Sequence, residues 1–333
     1  MGLQGTNRRW FMLANRVVAA LAAAVVATTA AAQPARGKPR IAFLGFDSAV
    51  QATRQVAFED GLRQLGYVNG SNVVIEYRWA EGRFDRMPEL AAQLVAAKPD
   101  VIVTAAPPAV RAVQAATRTI PIVMIVHDPI GLGFAESLAH PGGNITGVGF
   151  QDSEFSIKRL DILRAIVPNL TRIAILWNRQ GGGDDAVRAV EKTANAMKIA
   201  TKVLEVREEP DIAKTVAEAK VWGAQGVMQL ASPFFGTHRK RVVDLLVANR
   251  LPATCEQRQF VEDGCLMTYG ANLDPMFRQL ASYVDRILRG ANPADLPIEQ
   301  PREFEFVINE RTALALGLVI PLVVLMQTTD RIK

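Results

Sequence analysis

From residue 40 onward, short runs of mostly β-branched apolar residues alternate with longer stretches whose apolar positions recur at helical spacing. IAFLGF (41–46) is the first such run, closed by the turn-prone pair Asp47-Ser48. Residues 52–66 place Val56, Leu62 and Leu65 at helical intervals and stop at Gly66, a natural helix end. Further strands are predicted at 72–79, 100–105, 120–126 and 144–150, with helices at 84–97 and 107–116 and a short one near 131–139. The rhythm then restarts: helix 153–166, strand 172–177, helix 184–199, strand 201–206, helix 210–222, strand 226–231, helix 235–249, and strands 251–255 and 265–270. Such alternation implies right-handed βαβ units and parallel sheets. Two series of similar length predict an α/β fold of two doubly wound parallel-sheet lobes, favoured over one ten-stranded sheet. The helix at 273–289 and the strand EFEFVIN (303–309) fit neither series and read as late returns of the chain to each lobe.

The first 32 residues follow a different pattern. Arg8, Arg9 and Arg16 precede or flank an apolar run from Val17 to about Ala27, and small residues end at Ala30-Ala31-Ala32. This is the order of a cleaved secretory signal, and the run is too short to span a bilayer. The pair Arg8-Arg9 followed by Trp10-Phe11-Met12 is also compatible with a twin-arginine address. Residues 33–39 form a polar, proline-containing linker, so the mature chain is expected to start near Gln33. Removing the signal leaves 35 basic against 33 acidic residues, so the net charge of +5 falls to +2. No basic stripe with interleaved aromatics appears, which argues against nucleic-acid binding.

In open parallel sheets, ligands bind beyond the carboxyl ends of the strands. The residues there are Asp47-Ser48, Thr104 to Pro108, His127-Asp128-Pro129, Asn178, Ser232-Pro233 and Tyr269-Gly270. The set contains no nucleophile–base pair, and no cofactor or metal motif occurs. Thr104 either caps the helix at Pro107 or touches a ligand there, since a helix start suits a carboxylate. Asp128 either forms a turn before Pro129 or holds a ligand ammonium. We expect Thr104 and Asp128 to anchor a zwitterion or carboxylate between the lobes. His127, lacking a partner in the sequence, reads as a loop or packing residue. Asn178 is a turn former or an amide clamp, and at least one of Phe234 and Phe235 is expected to face the crevice. Cys255 and Cys265 bracket EQRQFVEDG, which could double back to allow a disulfide.

Several blocks together resemble the ABC-transporter substrate-binding proteins of the tryptophan/tyrosine-type group, over essentially all of residues 40–333. They include FEDGLRQLGYVNGSNVVIEYRWAEGRFDRMPELAAQLVAAKPDVIVTAA, HDPIGLGFAESLAHPGGNITGVGF, RIAILWN, FVEDGCLMTYGANLDPMFRQLASYVDRILRG and PREFEFVINERTALALGLVIP. The resemblance implies a type-I periplasmic-binding-protein fold, in which two hinged lobes close on a small solute, often an amino acid or related carboxylate. It implies no catalysis and no cofactor, a monomer in the periplasm, and an inner-membrane ABC permease as partner. Lobe 1 would comprise 40–150 plus 270–296, and lobe 2 would comprise 151–269 plus 297–333. Carried over by position, the cleft would use Ser48, Thr104, Ala105, Asp128, Asn178, Tyr269 and Gly270, with Ser232 where the group commonly has Asp. Two further departures are Ala106-Pro107-Pro108 in place of Gly-Thr-Pro, and His127 in place of a frequent Gly. They bear on which solute is bound, not on fold or role. A ligand sensor for a signalling receptor and an exported α/β enzyme are the competing readings.

Overall fold

The computed structural model describes residues 37–333. The expected signal, 1–32, and most of the linker lie outside the described residues. Strands β1 (Arg40–Gly45), β2 (Val74–Trp79), β3 (Val101–Ala105), β4 (Ile122–His127) and β5 (Ile145–Phe150) form an all-parallel sheet in the order β2-β1-β3-β4-β5. Every residue of β3 and β4 is buried, as a strand covered on both faces requires. Helix α1 (Ala52–Gln64) covers one face through Phe58 and Leu62. Helices α2 (Met87–Ala96) and α3 (Pro107–Ala116) cover the other through Leu90, Leu94, Val110 and Val113.

The second lobe is built the same way. Its strands are β6 (Arg172–Trp177), β7 (Ala200–Glu205), β8 (Gly226–Gln229), β9 (Ala253–Cys255), β10 (Met267–Ala271), β11 (Phe304–Asn309) and β12 (Asp330–Ile332). Their order is β12-β11-β10-β9-β8-β6-β7. Helices α4 (Asp152–Ile166) and α5 (Asp184–Ala196) pack on one face. Helices α6 (Glu209–Trp222), α7 (Pro233–Thr237), α8 (Arg239–Ala248) and α9 (Arg258–Asp263) lie on the other. The pairing of β10 with β11 is antiparallel, the one departure from the expected parallel pattern among the described strands.

Among the described residues the chain crosses between lobes three times: after β5, after β10, and once more beyond Glu299. After the second crossing, helix α10 (Leu273–Leu288) buries Phe277, Leu280 and Val284 in the first-lobe core. It approaches α1 so closely that a Cβ on Gly61 would stand 2.6 Å from the Arg278 carbonyl oxygen, which is why glycine sits there. The last part, with helices α11 (Glu310–Leu316) and α12 (Leu322–Leu325), belongs to the second lobe through Ala313 and Val324.

Four expectations need correction. No helix forms near 131–139, because Asp128 (φ 42°) and Gly133 (φ 75°) set up turns, and the Asp128 carboxylate accepts from the Gly131 N–H at 2.9 Å. The helix expected at 235–249 is two helices that divide at His238 (φ −100°, ψ 20°), whose ring packs on Phe234. The lobe boundary at 296/297 lies later: Ile298 is buried in the first-lobe core, and Glu299 exchanges backbone hydrogen bonds with Gly147 and Gly149. The boundary at 269/270 also lies later, since β10 runs in the second sheet to Ala271.

Candidate functional site

Each sheet reverses its strand order at its first strand, between β1 and β3 in one lobe and between β6 and β8 in the other. Such switch points open a crevice at the carboxyl ends of the strands. The two crevices face each other and enclose a cavity of about 90 Å³. That is below the roughly 300–1,000 Å³ of ordinary ligand pockets, because the lobes touch across it. The Thr237 hydroxyl donates to Asp47 Oδ2 at 3.0 Å, Arg54 donates to Gln257 Oε1, and His127 Nδ1 lies 3.9 Å from Asp185 Oδ1.

Of the strand-end residues, Asp47, Ala105, Ala106, Pro107, His127, Ser232 and Pro233 line the cavity; of those carried over from the resemblance, Ala105 and Ser232 do, whereas Ser48, Thr104, Asp128, Asn178, Tyr269 and Gly270 do not. Thr104 is fully buried in β3 and its hydroxyl donates to the Leu44 carbonyl at 2.9 Å, so it ties two strands together. Asp128 is spent on its turn. The Asn178 amide donates to the Val206 carbonyl, and its Oδ1 accepts from the Gly181 N–H and the Ser232 hydroxyl, making it a loop brace. Ser232 meanwhile caps α7 through the Phe234 N–H. The Ser48 hydroxyl turns to the Glu81 carboxylate at 3.3 Å. Tyr269 lies on the hinge side, packed edge-on against Phe155 and Phe306, with Gly270 in the strand beside it. Phe234 and Phe235 are packing residues of the second-lobe core.

The start of α3 is also a poorer anion site than its position suggests. Pro107 and Pro108 carry no N–H, and the Ala106 N–H donates to the Ile125 carbonyl. In the first turn only the Ala109 N–H is left to face a ligand.

Charge enters the cavity elsewhere. From the first lobe come Gln51 and Arg54, at the start of α1; from the second come Glu256 and Gln257, directly after β9. Burial pushes the Glu256 carboxyl up to about 8, reinforced by Asp152 and opposed by Arg54, Arg159 and the Ser232 backbone N–H. Burial pulls the Arg54 guanidinium below its usual value, opposed by the carboxylates of Glu256 and Asp274. Nearby, Arg159 and Asp152 form a buried ion pair at 2.7 Å. Asp47, the other acid on the wall, is already satisfied: its Oδ1 accepts from Ala49 and Val50 N–H groups and its Oδ2 from Thr237. The strand-end rule reaches Glu256 when applied to the run LPATC; Arg54 lies in the first turn of a predicted helix and gives no local signal.

Cys255 and Cys265 are joined by a disulfide, with Cα atoms 6.5 Å apart. The bridged loop carries Glu256, Gln257 and helix α9, so the bond fixes the second-lobe charge against its sheet.

Known proteins share this architecture. A family model described as ABC transporter substrate binding protein matches residues 41–332. A tyrosine-binding protein of Clostridioides difficile (strain R20291) is 24% identical over 267 residues, covering 78% of this chain and 75% of that protein. An ABC domain in complex with L-Trp from Streptococcus pneumoniae superposes with a TM-score of 0.81 at 25% identity, over 89% of this chain and 100% of that one. A conserved domain protein from Vibrio cholerae O1 biovar El Tor does so with a TM-score of 0.81 at 26% identity, over 88% and 99% of the two chains.

Proposed function

Because the chain belongs to the ABC transporter substrate-binding protein family, we propose that it is the receptor that captures a free amino acid and presents it to the permease of an ABC importer. One observation carries the amino-acid reading: Arg54 from the first lobe and Glu256 from the second converge on the same interlobe cavity. A zwitterion offers a carboxylate to the guanidinium and an ammonium to the carboxyl, and it reaches both only when the lobes close. Binding energy is thereby coupled to hinge closure, the signal a permease reads. The walls between the two charges are apolar, from Phe46, Val50, Ile125 and Phe150, and suit an apolar or aromatic side chain. The tyrosine-binding and L-Trp-bound relatives support that class. The 90 Å³ cavity requires the lobes to part before such a ligand enters.

The export pattern of residues 1–32 supports a receptor released into the periplasm, and no helix among the described residues is long and apolar enough to cross a membrane. The test is a thermal-shift screen of the chain from Gln33 against the free amino acids. A ligand at a hundred times its Kd adds about 2.7 kcal/mol of stability. A shift with one or a few amino acids, aromatic ones first, is expected; no shift with any of them would contradict the reading.

A further inference from the structure

His127 ends β4 inside the cavity wall, only 5% exposed, and neither of its ring nitrogens has a hydrogen-bond partner. Its neighbours on the wall are Pro107, Ile125 and Phe150, none of which offers a side-chain hydrogen bond. A buried imidazole left in this state is unfavourable, and a bound molecule that satisfies it gains what the empty protein lacks. Two features decide what that molecule must offer. Asp185, in the first turn of α5 across the cleft, places Oδ1 3.9 Å from Nδ1, so a neutral ring is best arranged with its N–H at Nδ1, towards that carboxylate. Nε2 is then a bare acceptor. Opposite it lies Gly182 (φ 97°), where a Cβ would stand 3.2 Å from Nε2 and 3.5 Å from Pro107 Cγ. A side chain there would crowd the ring, and in this closed form Nε2 is sealed from solvent, so a ligand reaches it only when the lobes part.

We propose that His127 is a specificity-determining residue, whose Nε2 accepts a hydrogen bond from a donor on the ligand's side chain, so that the receptor selects amino acids whose side chains end in an O–H or N–H. This rests on the amino-acid reading above and adds to it a discrimination between near-isosteric ligands. A nearby aspartate and an acceptor nitrogen would equally reject an anionic side chain.

The experiment measures calorimetric Kd values for two pairs that differ only in a donor: L-tyrosine against L-phenylalanine, and L-tryptophan against 1-methyl-L-tryptophan. Wild type, His127→Leu and His127→Gln are compared, with melting curves to establish that each variant folds. At least one donor-bearing member is expected to bind the wild type about tenfold or more tightly than its partner, the worth of one buried hydrogen bond. His127→Leu should bring that ratio close to one by weakening the donor-bearing ligand alone. His127→Gln, which restores an acceptor near the Nε2 position, should recover part of it. A ratio that persists unchanged in His127→Leu, or that is absent from the wild type, overturns the proposal while leaving the receptor reading intact. If all four fail, the same comparison is made between the amino acid that binds and its analogue lacking the side-chain donor; a ligand with no such donor, or a ratio near one, overturns the proposal alone, and failure of every amino acid overturns both.

Discussion

Glu256 is the residue on which the site's chemistry turns. Its carboxyl sits at about 8 in the folded chain, against 4.5 for an unhindered glutamate. A raised acid pKa means that the native state holds a proton which the unfolded chain releases. The stability this contributes is present below about pH 4.5 and is lost as the pH rises towards 8. The melting temperature of the ligand-free protein should therefore decline across that window, and Glu256→Gln should flatten the decline. Amino-acid affinity should move the opposite way, rising as the pH passes through 8, because only the ionised carboxyl pairs with an ammonium. An affinity indifferent to pH in the wild type would show that Glu256 does not face the ligand. Asp128 and Thr104 make the contrasting case. Asp128→Ala should leave ligand affinity unchanged, and Thr104→Val should lower stability by about 1 kcal/mol through the lost bond to Leu44 without altering affinity. Calorimetry on both variants checks this. Their positions at strand ends made them visible in the sequence. What the sequence does not display is that a short polar side chain at a strand end turns to the nearest backbone group, while a long one such as Arg54 reaches the cleft from a helix.

At the scale of elements, hydrophobic periodicity located the longer helices and all strands but β12, because most of them bury a whole face or both faces; it gave no reading for the short helices α9, α11 and α12. It did less well where backbone chemistry rather than burial decides. Residues 131–139 carry enough apolar positions for a helix, yet Asp128 and the glycines divert the chain into turns. The loop from Cys255 to Cys265 is the element most exposed to perturbation. It holds Glu256 and Gln257 in the turn between a three-residue strand and a six-residue helix, with the disulfide closing it. Replacing both cysteines by serine should lower stability by about 2–4 kcal/mol. It should also weaken amino-acid binding, since the charge is no longer held against β9. Denaturant midpoints and calorimetric Kd values measure the two effects; a large stability loss with unchanged affinity would separate the bridge from the site.

For the whole molecule, two doubly wound lobes with matching switch points leave one place where both can contribute to a single site, and three crossings let that place open and shut. The strand rhythm revealed the lobes. The late exchange, in which α10 returns to the first lobe and β11 to the second, showed in the sequence as two segments that fit neither series; which lobe each joins is set by long-range packing such as the Gly61–Arg278 approach. The lobes already meet through Asp47–Thr237 and Arg54–Gln257, so a ligand must replace weak polar contacts with a stronger pairing of charges.

That exchange is best measured by isothermal titration of the chain from Gln33 with the amino acid giving the largest thermal shift, its carboxamide and its deaminated acid. Wild type, Arg54→Met and Glu256→Gln are compared. The account predicts that the wild type binds the parent about tenfold or more tightly than either analogue, as charged hydrogen bonds require. Arg54→Met should erase the preference over the amide, and Glu256→Gln the preference over the deaminated acid. Equal binding of all three ligands by the wild type, or preferences that survive both substitutions, would contradict it.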